Sequence, residues 1–148
     1  MSPRGLVLFA VAAALAGCGE PAPLTDSKNA VQTGRGAKVY AQFCAACHGA
    51  RLEGQPDWRQ RLPSGRMPAP PHDDSGHTWH HTDDVLFGIT KLGVVAPYAP
   101  KGYESDMPGF GGRLSDDEIW AVLAFIKASW SPRVQAARAE RLRGRGAR

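Results

Sequence analysis

Cys44-Ala45-Ala46-Cys47-His48 places two thiols one helical turn apart and an imidazole directly after the second. This is C-x-x-C-H, the pattern of covalent haem attachment. Its chemistry accounts for its spacing. Each thiol can form a thioether with one vinyl group of the same porphyrin, and the following His sits at the ring face, where its imidazole reaches the iron. A redox-active C-x-x-C would need a βαβ context, and the flanks show none. A zinc site would need a second ligand pair at matching spacing, and the chain has only three cysteines. Three cysteines cannot all pair within the chain, so a disulfide scaffold is a poor reading of them.

The flanks of the motif predict helices. Gly36-Ala37-Lys38-Val39-Tyr40-Ala41-Gln42-Phe43 runs into it with Val39, Tyr40 and Phe43 at helical spacing. Farther on, Ser115 is an N-cap and Glu118 completes a capping box, with Asp116, Asp117 and Glu118 where the helix dipole favours anions. Ile119, Val122, Leu123, Ile126 and Trp130 form one apolar stripe, widened by Trp120 and Phe125. Pro132 stops this helix or begins a break. A further helix is expected over 83–92, entered through His81 or Thr82 and closed by Gly93. With 17 Gly and 12 Pro in 148 residues, the remainder is expected to be long loops around one core.

With C-x-x-C-H on the first helix and a capped amphipathic last helix, the chain resembles the class I cytochrome c family over roughly 33–130. The resemblance implies an all-α fold. Its N- and C-terminal helices would pack across one another, through Gly36 and Tyr40, around one haem c attached to Cys44 and Cys47. It implies His48 as one axial ligand of the iron. Met107-Pro108-Gly109-Phe110 lies in the loop before the last helix, where that family places its ligand methionine, so Met107 is the expected second ligand. A thioether is neutral and soft and favours Fe(II), raising the potential. Met67-Pro68 is the rival, among several prolines with no helix after it. The family also orients its ligand His through a proline carbonyl in the following loop. Pro56 is the expected match here. The stretch from Pro56 to His81 is long and rich in Pro and His for a minimal domain of this kind.

His72, His77, His80 and His81 cluster around Trp79. Three readings stand: a loop tied down by its own side chains, a set that orients the haem propionates, or a separate metal site, since imidazole suits copper, zinc and nickel. Arg51, Arg59, Arg61, Arg66, Trp58 and Trp79 are further candidate propionate partners.

The ends differ from the middle. Arg4, the apolar run 6–16 and then Leu15-Ala16-Gly17-Cys18 resemble a bacterial lipoprotein signal, cut before a lipidated Cys18. The apolar run is too short to span a bilayer. The expected organisation is a signal over 1–17, a polar tether over 18–33, the haem domain over 34–131 and a basic extension over 132–148. The extension carries six arginines against one acid, Glu140, whereas 18–132 has a net charge of −2. The basic balance of the whole chain thus belongs to its tail, and no nucleic-acid partner is expected.

A haem held by His48 and Met107 has no free coordination position. The chain is therefore expected to be an electron carrier and not an enzyme. It would be exported, lipid-anchored on the periplasmic side of a membrane, and would shuttle electrons between membrane-associated redox proteins. Two alternatives are a copper-handling protein using the 72–81 histidines and an open-site haem protein that binds small gases.

Overall fold

The computed structural model describes residues 24–146. The signal stretch and Cys18 lie outside them. Among the described residues the secondary structure is helical: α1 (Ala30–Phe43), α2 (Ala45–His48), a 3-10 turn (Thr78–His80), α3 (Asp83–Leu92), α4 (Asp116–Ala128) and α5 (Pro132–Gly146). Long loops join them, with a single isolated bridge between Met67 and Ser105.

Helix α1 begins four residues earlier than the haem domain was expected to. The Asn29 side chain accepts from the amides of Val31 and Gln32 and caps the helix. The Gln32 side-chain amide then reaches back to Leu24 O (2.8 Å) and accepts from Asp26 N (2.7 Å), and Thr25 is buried. The expected tether over 18–33 is therefore corrected at its C-terminal end. Its polar composition, read as linker, supplies the caps and ties of a folded edge.

Helices α1 and α4 cross at Gly36. A β-carbon there would sit 1.9 Å from the Ala121 carbonyl oxygen and 2.9 Å from Phe125 Cβ. Only glycine permits this approach. One turn on, the rings of Tyr40 and Phe125 meet at 5.4 Å. The expected stripe of α4 is in the core: Ile119, Val122, Leu123, Ile126 and Trp130 are all buried. Burial extends to Ala121 and Ala124, because α1 covers a second face of α4. Fully burying side chains such as Ile119 and Val122 contributes about 1.5–3 kcal/mol each. The capping box of Ser115 and Glu118 is formed in both directions.

Helix α3 starts at Thr82, whose hydroxyl accepts from Val85 N, and stops at Gly93, φ +86°. It lies against α4 through Phe87 stacked on Trp120 at 4.3 Å and the Asp83–Lys127 ion pair at 2.8 Å. Pro132 opens α5 at its first position, where a missing amide costs nothing. The basic extension is thus a helix, and its Val134 and Arg138 are buried against the domain.

Substituting Gly36→Ala gains about 1 kcal/mol in helix propensity. It also forces a methyl into a main-chain carbonyl, and overpacking of this kind costs about 1–3 kcal/mol or more. The haem-loaded variant is expected to lose about 2 kcal/mol in guanidinium unfolding. Unchanged or higher stability would show that the two helices are not held by this contact.

Candidate haem site

The motif sits where α1 ends. Cys44 caps α1, its amide donating to Tyr40 O at 2.9 Å, and α2 adds one further turn. His48 N and Cys47 N both donate to Cys44 O. Gly49, φ +81°, ends the turn. Cys44 is half-buried and Cys47 exposed. Burial, and then the neighbouring Cys47, push the Cys44 thiol up to about 11.

Two ties fix His48, which is 6% exposed. Its Nδ1 lies 2.8 Å from the Pro70 carbonyl oxygen. A carbonyl only accepts, so Nδ1 carries the proton and Nε2 keeps the lone pair. Burial lowers the His48 pKa, opposed by the Pro70 bond, and the ring stays neutral as a ligand requires. Behind the turn, the buried Tyr40 hydroxyl donates to Gly49 O (2.9 Å) and His48 O (3.3 Å). Burial, and then Cys44, raise its pKa far above the usual phenol value, so it remains a donor.

The partner of His48 is Pro70, not the expected Pro56, which is exposed at the start of a surface turn. The loop folds back on itself. Gln55 N donates to Ala69 O, and Ala69 N donates to the Gln55 side chain, which brings 68–71 under the imidazole. Proximity in sequence favoured Pro56. The better signal was the Pro70-Pro71 pair between two glycines. A β-carbon on Gly54 would meet Pro71 N at 2.4 Å, and one on Gly76 would meet Pro71 O at 2.0 Å.

Met107 is partly buried against the same core that Phe43, Cys44 and Ala45 touch. Its loop is strapped on two sides. Phe110 N and Gly111 N donate to Thr90 O and Lys91 O at the end of α3. On the other side Met67 pairs with Ser105, and Arg66 binds Asp106 at 2.6 Å. Phe110 meets Phe43 edge-on at 6.3 Å, which links the Met107 loop to the turn before Cys44. The rival Met67 therefore lies in the limb beside Met107.

The four loop histidines do not converge on one point. The His72 ring stacks on His48 at 4.0 Å, its Nδ1 lies 2.8 Å from Thr78 Oγ1, and its main-chain oxygen accepts from Trp130 Nε1. Burial holds its pKa well below the usual value, with His48 and His77 adding to the effect. His77 lies 5.2 Å from the Trp58 ring and 5.5 Å from that of His81, and His80 packs on Trp79. Among the described residues no group of three or more His, Cys, Asp or Glu is placed to hold a metal ion. The copper alternative thus has no ligand set among them.

The residues present fit a haem. Two thiols and a neutral imidazole with its lone pair free stand on adjacent turns. The indole N–H of Trp79 is buried and has no acceptor among the described residues. A buried donor of this kind calls for a partner, and a propionate carboxylate is one. The arginines offered from sequence have protein partners: Arg51 with Glu53, Arg59 with the Trp58 ring and Ser75 O, Arg61 with Gly65 O, and Arg66 with Asp106.

Comparison with known proteins agrees with this geometry. The family model for cytochrome c matches residues 34–130. The gluconate 2-dehydrogenase cytochrome c subunit of Pantoea cypripedii is 37% identical over an alignment of 98 residues that covers 64% of this chain and 20% of that protein. The chain thus spans about a fifth of that relative's length. No solved structure matches.

Tyr40→Phe keeps the ring contact with Phe125 and removes the donor behind the ligand turn. Gly49 O still accepts from Leu52 N, and His48 O from Gly54 N, so neither carbonyl is orphaned. The expected loss is that of one ordinary hydrogen bond, about 1 kcal/mol in guanidinium unfolding. A loss above about 3 kcal/mol would mean that the hydroxyl holds more than this turn.

Proposed function

Because the chain belongs to the cytochrome c family, and so carries covalently bound haem c for electron transfer, we propose that it is a single-electron carrier with His48 and Met107 as axial ligands. The observation that carries this reading is the bond from His48 Nδ1 to the Pro70 carbonyl, which leaves Nε2 as the ring's free lone pair beside the two thiols. When bound, the haem supplies a one-electron Fe(III)/Fe(II) couple. Burial keeps the His48 ring neutral, the Pro70 carbonyl orients it, and the Tyr40 hydroxyl holds the main chain of its turn. Met107 is favoured over Met67 because it packs on the core shared with Cys44. Its neutral thioether stabilises the reduced iron. A ligand on each face leaves no position for substrate, so this chain relays electrons and another protein performs the chemistry.

The relative is a cytochrome c subunit of a gluconate 2-dehydrogenase. That supports a dehydrogenase as electron donor to this chain; the acceptor proposed with it is a second, membrane-associated redox protein. Cys18 is the proposed lipid anchor. Packing begins at Thr25, seven residues on, and seven residues reach at most about 25 Å when extended. The head would therefore stay close to the membrane, at raised effective concentration near its partners.

Oxidised and reduced absorption spectra test the ligation. Wild type and Met67→Leu are expected to be low-spin, with the long-wavelength methionine–Fe(III) charge-transfer band, and to bind carbon monoxide slowly when reduced. Met107→Ala is expected to lose the band, bind carbon monoxide rapidly and show a lower potential. A high-spin wild type, or an unchanged Met107→Ala, would discard Met107 as ligand. For the anchor, Cys18→Ser is expected to move the protein from the membrane fraction to the soluble one. An unchanged distribution would remove lipidation from the proposal.

A further inference from the structure

Helix α5 lies wholly beyond the stretch matched by the family model, yet it is wired to the loop that carries Trp79. Val134 and Arg138, one turn apart, are its buried residues. The Arg138 side chain is 7% exposed. Its Nη1 donates to the main-chain oxygens of Trp79 (2.9 Å) and His81, and its Nη2 to Asp83 Oδ1 (2.7 Å). Lys127 of α4 holds the other oxygen of Asp83 at 2.8 Å, and the Trp130 ring lies 5.4 Å from the guanidinium. One turn farther along α5, Arg141 Nε donates to His80 O at 3.3 Å. Three consecutive carbonyls, at 79, 80 and 81, are thus held by two arginines of α5. These are the carbonyls at the end of a 3-10 turn, where a helix leaves them without internal partners. A guanidinium fork is suited to this because it presents several donors in one rigid plane. The same turn carries the buried, unpaired indole N–H.

We propose that α5 is a clamp on this loop and that Arg138 is a positioning residue. By holding the main chain of Trp79 and His81, it keeps the Trp79 N–H aimed at a propionate of the covalent haem. This rests on the haem reading of the site, though not on which methionine ligates the iron. A donor on the propionate offsets its negative charge. Losing that donor favours the more positive oxidised iron, so the potential falls.

The test is a mutant cycle on midpoint potential in the full-length haem-loaded protein: wild type, Trp79→Phe, Arg138→Lys, Arg138→Ala and the double variant Trp79→Phe/Arg138→Lys. Trp79→Phe is expected to shift the Fe(III)/Fe(II) equilibrium several-fold to about tenfold, where tenfold is about 59 mV for a one-electron couple. Arg138→Lys keeps the charge beside Asp83 and loses the fork. It is expected to lower the potential in the same direction as Arg138→Ala. The double variant is expected to fall no further than Trp79→Phe alone. Should Arg138→Ala not fold, the cycle with Arg138→Lys is complete without it. A wild-type potential in Arg138→Lys, no shift in Trp79→Phe, or additive shifts in the double variant would each overturn the clamp. The methionine–Fe(III) band is recorded on the same samples. Its absence from wild type would count against Met107 ligation while the cycle still reads the clamp.

Discussion

The close crossing of α1 and α4, where the Gly36 main chain lies against the Ala121 carbonyl, orients the elements around it. That contact sets the line of α1, and α1 ends at Cys44. The position of both thiols and of the His48 imidazole is therefore set by a backbone approach about two turns upstream. Tyr40 acts between the two. Its ring packs on Phe125 of α4, and its hydroxyl holds the carbonyls of His48 and Gly49. At the far end of α4, Trp130 donates to His72 O, and the His72 ring lies on His48. One helix pair thus supports the ligand turn from both sides.

Around that frame the loops are held by point ties rather than by regular structure. Pro70 is tied to His48, Met67 to Ser105, Phe110 to Thr90, and Arg66 to Asp106. A bond such as that to Pro70 contributes about 1 kcal/mol and the exposed Arg66–Asp106 pair less, but together they leave the segments that carry His48 and Met107 little freedom. Electron transfer benefits from this. Side chains already held in place need little movement when the charge of the haem changes.

Charge is partitioned by burial. The tail that makes the chain basic spends Arg138 inside, against Asp83 and two main-chain carbonyls, and leaves Arg133, Arg141 and Arg143 exposed. A buried guanidinium is costly to desolvate unless it is paired and hydrogen-bonded, and Arg138 has the Asp83 carboxylate and two carbonyls. The packed unit consequently extends past the matched family stretch at both ends, from Thr25 to Arg138.

The haem-attachment chemistry and the helices α1, α3 and α4 are legible along the chain, because their signals are local. C-x-x-C-H places three side chains within one turn. The Ser115–Glu118 box, the Thr82 cap and the closing Gly93 act within three or four residues. The α4 stripe is a periodicity of one segment. Which proline meets His48 is settled by packing, because that contact spans 22 residues and depends on how the loop folds back at Gln55 and Ala69. Packing likewise places His72 on His48, His80 on Trp79 and His77 between Trp58 and His81, and docks the arginine-rich end as a helix. Side chains and carbonyls far apart along the chain are brought together by packing, and no local pattern encodes which of several chemically equivalent groups arrives.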